Sequence, residues 1–248
     1  MQPNGKSWMR KTLELGGIVA GVVLVAFGIT AIVLGADGRS TVYSNLKQEY
    51  IVGSPDMTPA GIAAAVKDIK ASQLKIAAAR EKAGAEPIAF TAVSAPDCSV
   101  AGKAVNNGER ARCFAQYIRI HALESTGGLV YAQMGRFQAK PDAPLKFTDF
   151  RGGTSDAKYA VTVPETGQPV SNGARNLWVT ATALSSALNL AYTAEQVSIF
   201  GIVVGVALLL SGIGFLVLAL GGALRRVALA VPKPTGPPLI PAPGGPSE

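Results

Sequence analysis

Two stretches of this chain carry no charged side chain, and they limit its fold more than any other feature. Residues 15–36 (LGGIVAGVVLVAFGITAIVLGA) and 196–224 lack Asp, Glu, Lys and Arg altogether. A helix rises ~1.5 Å per residue, so a hydrocarbon core of ~30 Å takes roughly 20 apolar residues. Residues 15–36 meet that length, and residues 197–224 exceed it, which allows tilt. Lipid admits only helices and closed barrels, because nothing else satisfies the backbone there, and two isolated runs cannot close a barrel. A buried core helix is the alternative for each run, but runs this long without charge argue against it. With those stretches removed, the remainder has ordinary polarity, although the whole chain is only 16% charged against about 25% for a soluble domain. A plain soluble globule, a disulfide-dense mini-protein and a disordered chain are thereby excluded.

Basic residues beside the spans set their direction. Lys6, Arg10 and Lys11 precede the first; Arg225, Arg226 and Lys233 follow the second. Both ends therefore read as cytoplasmic. The organisation expected is a cytoplasmic N-terminus (1–14), a first span (15–36), an extracytoplasmic segment (37–196), a second span (197–224) and a Pro-rich cytoplasmic tail (225–248) too rich in Pro and Gly to fold. The first run also has the basic flank of a cleaved signal peptide, but a signal core is about 7–15 residues long, and an uncleaved anchor is the better reading. The outer segment has 17 Lys and Arg against 14 Asp and Glu, so the pI near 9.5 is partly a topology signal. An outer location argues against nucleic acid as a partner. Trp8 and Tyr192 suit interfacial positions.

Glycine spacing adds a packing expectation. Gly21, Gly28 and Gly35 fall seven apart in the first span; Gly205 and Gly212 repeat that interval in the second. Seven residues are nearly two helical turns, so each set lines one face, and small residues let helices approach closely in lipid. The two spans are expected to pack on each other, with homo-oligomerisation through the same faces as the rival use.

Cys98 and Cys113 are the only cysteines. Both lie in the part assigned outside, where an oxidising compartment permits a bond. A metal or redox pair is the competing reading, but there is no Cys-x-x-Cys and one His, so zinc spacing is absent. Thr58-Pro59 reads as a helix start, followed by a stripe of Ile62, Val66, Ile69, Gln73 and Ile76 and a stop at Gly84. A second helix is expected over 109–124, with Cys113, Tyr117, Ile120 and Leu123 on one face, closed by Thr126-Gly127-Gly128. A third starts near Ala174 and runs unbroken into the second span, while the first span extends toward Leu46. Residues 88–93 and 159–163 carry short strand signals, and 49–52 could pair with one of them. Residues 138–173 read as a long loop. The fold class expected is thus a mainly α membrane protein whose two transmembrane helices extend outward as a helical stalk, with a small disulfide-stapled extracytoplasmic α domain of minor β content.

Three stretches, AGKAV at 101–105, FAQYIRIHALESTGGLVYAQM at 114–134 and the run 174–218, stand in an order that resembles a group of actinobacterial two-span membrane proteins. Members often carry the label "aromatic ring-opening dioxygenase LigA". The resemblance covers about half the chain; the helix at 58–85, the cysteine pair and the 138–173 loop depart from the shorter members. It implies membrane location, two spans and a mostly helical outer part, and no established activity.

The dioxygenase label finds no support in the residues, because non-haem iron oxygenases need two His and a carboxylate on one metal face. His121 is the only His and, beside Arg119 and Glu124, reads as a packing or surface residue. Gly127-Gly128 lacks the phosphate-loop pattern, and no second His is present to activate a serine. No catalytic residue, cofactor or metal site is expected. The expectation is a non-enzymatic scaffold, accessory subunit or envelope-interaction protein, with the lipid bilayer and a protein partner or second copy as its contacts. A small oligomeric transport or channel component is the alternative. An outer-surface enzyme would require Glu109, Glu124 or Asp149 to converge on His121 in a cleft.

Overall fold

The computed structural model describes residues 4–221. The basic residues 225, 226 and 233 and the Pro-rich tail lie outside the described residues. Four helices order the chain: α1 (Asn4–Gln48), α2 (Ala63–Lys82), α3 (Gly108–Ser125) and α4 (Gly173–Leu220). Two short strands, β1 (Phe137–Gln138) and β2 (Gly153–Thr154), pair antiparallel between α3 and α4. The described chain divides into two compact units, 4–33 with 201–221, and 34–200.

The first unit is a pair of antiparallel helical segments in backbone contact. A Cβ placed on Gly28 would lie 2.7 Å from the Gly205 carbonyl oxygen, and one on Gly205 would lie 2.8 Å from the Gly28 carbonyl oxygen. One heptad away the relation repeats: a Cβ on Gly21 would fall 2.9 Å from the Gly212 oxygen, and the converse gap is 2.8 Å. A step of seven up α1 is met by a step of seven down α4, as antiparallel helices require. The outward faces are apolar and open: Val19, Phe27, Val203 and Leu210 are 55–66% exposed. A water-facing helix would present polar groups there. Both helices are long and apolar enough to cross a membrane, and only 11% and 17% of their most apolar windows is buried. The two polar side chains deep in these runs bond to their own helices, Thr30 Oγ1 to the Ala26 carbonyl (2.9 Å) and Ser211 Oγ to that of Ala207 (2.8 Å).

In the second unit, α2 and α3 pack together and bury Ile62, Ile69, Val100, Val105, Tyr117, Leu123 and Leu129 almost completely. The α2 stripe faces this core, with Val66, Ile69, Gln73 and Ile76 buried. The Thr58-Pro59 start signal is displaced: α2 begins only at Ala63, and Ile62 offers no side-chain cap. Thr58 Oγ1 instead accepts from the Gly61 amide (2.9 Å), closing a separate turn just ahead of the helix. The Gly84 stop stands, at φ +65° with the Ala85 amide donating back to Arg80. In α3 the cap is Asn107, whose side chain accepts from the Arg110 amide at 2.9 Å.

The strand expectations need correction. Residues 88–93 form no strand, and two of their carbonyls accept from side chains instead. Gln133 Nε2 donates to the Ala89 carbonyl (2.5 Å) and Gln73 Nε2 to that of Thr91 (3.1 Å). Residues 49–52 pair with neither expected partner; Val52 bridges Ala104. The sheet forms instead inside and just before the supposed loop, with Phe137 opposite Thr154 and Gln138 opposite Gly153. Of 159–163, only single bridges form, Ala139 with Ala160 and Thr162 with Pro169.

Candidate functional site

The residues singled out from sequence fall into two places. Gly21, Gly28, Gly205 and Gly212 make the reciprocal contacts of the helix pair. These faces meet within one chain. Gly35 is buried in the second unit, where its neighbour Gly38 sits so that a Cβ would meet Ser198 Oγ at 2.6 Å.

Cys98 and Cys113 are joined in a disulfide with Cα atoms 6.1 Å apart. Cys113 belongs to α3, whereas Cys98 lies in the extended segment before it. Tyr117, one turn beyond Cys113 and fully buried, donates its hydroxyl to the Cys98 carbonyl at 2.6 Å. The same extended residue is therefore held to α3 twice, covalently and by a hydrogen bond. Burial pushes the Tyr117 hydroxyl above its ordinary pKa, with Asp56 and Asp97 adding to the rise; its neutral, donating form is thus favoured.

His121 stands between two carboxylates. Its Nε2 is 3.1 Å from Asp56 and its Nδ1 is 3.5 Å from Glu124. Ser54 donates to the other oxygen of Asp56 at 2.5 Å and, together with the backbone and His121, holds that carboxyl below the usual carboxylate range against a smaller desolvation effect. The set contains a serine, a histidine and acids, yet in the wrong order for a nucleophile. A catalytic serine must bond to the imidazole that takes its proton; here it bonds to the acid, and both ring nitrogens already face carboxylates. The arrangement fastens the 54–57 turn to α3.

Glu109, Glu124 and Asp149 do not meet at one place. Of these three carboxylates Glu124 is the one that lies against His121, opposite Asp56. Asp149 is buried, and its carboxylate accepts from the amides of Gly135 (2.9 Å), Arg151 (2.8 Å) and Gly153 (2.8 Å), which closes the turn before β2. Glu109 lines a different cleft, of about 410 Å³, with Asp97, Arg112 and Tyr192. The Arg112 guanidinium lies over the Tyr192 ring at 4.8 Å, and Arg119 lies over Trp178 at 5.3 Å. These two arginines join α3 to α4. Among the described residues, no group of three or more His, Cys, Asp or Glu is placed to hold a metal ion.

Glu195 is the residue that sequence reasoning missed. It is 7% exposed; it accepts from the Gly108 amide at 2.5 Å and pairs with Arg39 Nε at 3.2 Å. One carboxylate thereby satisfies the open N-terminus of α3, where a negative charge is favoured, and ties α1 to α4. Its signal was present, since it is the last charge before the second apolar run, but its partners are 87 and 156 residues distant.

Compared with family models, curated proteins and solved structures, the chain matches none.

Proposed function

We propose that this chain is a two-span plasma-membrane protein with both termini cytoplasmic and residues 37–196 outside, acting as a non-enzymatic scaffold or accessory subunit. In this reading α1 and α4 continue from the spans as a stalk and present the disulfide-stapled domain, and packing contacts carry the function. The observation that supports it most is the contrast between the two sides of the apolar helices. Their inner faces meet at backbone distance through glycine, while their outer faces expose Val, Leu and Phe without a charge. Lipid tails are the cover such a surface calls for. The Cys98–Cys113 bond adds a compartment argument, since disulfides persist on the oxidising side. The resemblance to the two-span group agrees with this reading and adds no activity to it. A channel gains less support, because an ion path is usually marked by intramembrane charge and neither run carries any.

Two measurements test the proposal. On intact cells treated with an impermeant reductant, Cys98 and Cys113 should become labelled by an impermeant maleimide; labelling that requires lysis overturns the topology. Extraction into native-lipid discs should recover the chain with a stoichiometric companion or a second copy, and recovery as an isolated monomer overturns the scaffold role.

A further inference from the structure

Within the second unit, α4 presents two unlike sides. Its inner side belongs to the core, where Trp178 and Leu188 are buried and Ala181 and Ala191 pack against them. On the other side, steps of three and four residues give Asn176, Val179, Ala183, Ser186, Leu190 and Thr193. All six are exposed, Leu190 at 68%. Alternating threes and fours are the heptad of a coiled-coil seam. No charge flanks the stripe, because the helix has no Asp, Glu, Lys or Arg between Arg175 and Glu195. The exposed faces of the unit's other helices differ: α2 shows Lys67, Asp68, Lys70 and Lys75, and α3 shows Glu109, Arg112 and Arg119.

Water suits this side of α4 poorly, since a solvated helix sets charged and polar groups opposite its buried stripe. Lipid is not its cover either. The helix has 48 residues and is about 72 Å long at ~1.5 Å per residue, whereas a hydrocarbon core takes ~30 Å. The run 196–224 already supplies that length. The charge pattern selects the cover that remains. Two copies in one membrane insert in the same direction, so their α4 helices run parallel, and a two-fold pair sets each seam residue opposite its own twin. A charge in the seam would then meet a like charge, which is strongly unfavourable. A different protein imposes no such rule, because it can answer a charge with its opposite. Self-pairing demands a seam without charge, and α4 has one. Ala183 and Ser186 at its centre let the backbones approach, and a polar seam residue such as Asn176 fixes the register.

We infer that α4 pairs with α4 of a second copy along this seam, forming a parallel two-fold dimer. The inference rests on the two-span reading, which makes the helices parallel, and it names the partner of the scaffold.

Cross-linking and mass measurement test it. A short, membrane-permeant bis-maleimide applied to native membranes should link Ala183→Cys copies to twice the mass of one chain. Ala71→Cys, at an exposed site on α2, should stay at the mass of one chain. Cys98 and Cys113 are joined to each other, so the introduced thiol is the reactive one. In mild detergent the full chain should form dimers by light scattering, and Ala183→Glu should weaken them about ten-fold or more, since each glutamate would meet its twin. A mixture of Ala183→Glu and Ala183→Lys chains should pair again, which a misfolded variant would not do. Equal linking from the two cysteine variants, a chain that stays single, a dimer indifferent to Ala183→Glu, or a mixture that stays apart each overturns the inference. The linker crosses membranes, so its result is blind to topology and distinct from the thiol-labelling experiment. Recovery with a companion but without self-linking would keep the scaffold role and overturn the dimer.

Discussion

A single methyl group measures how closely α1 and α4 approach. At Gly28 the added carbon would sit 2.7 Å from both the Gly205 oxygen and the Leu209 amide nitrogen, which are backbone atoms that cannot rotate aside. The helices must separate to admit it. Gly28→Ala is therefore expected to lower stability by about 1–3 kcal/mol, the usual cost of overpacking. Gly214→Ala is the control, because nothing lies within 4 Å of its Cβ position, and there the better helix propensity of Ala should leave stability equal or slightly higher. Thermal or denaturant unfolding of the two variants in detergent checks this; equal losses would mean that the close approach is absent. The two residues are both span glycines, so composition alone does not separate them. Spacing does, since Gly28 belongs to the seven-residue series and Gly214 does not.

At the scale of the element, the extended segment before α3 depends on its attachments. It has no ladder partner along 88–93, and its anchors are Gln73, Gln133, Tyr117 and the disulfide. The cysteines are 15 residues apart, and a loop of that size gives about 3 kcal/mol in the chain-entropy picture. The double variant C98S/C113S should lose stability of that order, and Tyr117→Phe, which keeps the packing and removes one hydrogen bond, should lose roughly 1 kcal/mol. Chemical denaturation of the full chain in detergent reads both; a larger loss for the tyrosine would mean that the disulfide is peripheral. Sequence pattern disclosed the helices well here, because α2 and α3 carry their apolar stripes locally. It misplaced the start of α2, since a Thr-Pro pair serves a turn as readily as a cap. It missed β1 and β2 because each is two residues long and has no periodicity to read.

For the molecule as a whole, the decisive quantity is apolar surface left open by the fold. The exposed Val, Leu and Phe of α1 and α4 are far too extensive for a chain free in water. The full chain should accordingly stay with the membrane pellet through an alkaline carbonate wash, whereas release into the supernatant would mean that another protein covers those faces. This much was determined by sequence alone: the two apolar runs, their glycine interval and the helical stripes are properties of neighbouring residues, and hydropathy and helical period act over a few turns. Only tertiary structure decided that Glu195 closes the start of α3 against Arg39, that His121 is held between Asp56 and Glu124, and that Asp149 folds a turn while Glu109 stands elsewhere. Polar groups commit to partners by distance and geometry, and a chain's folding path, not its local pattern, brings residues 87 or 156 positions apart within reach of one carboxylate.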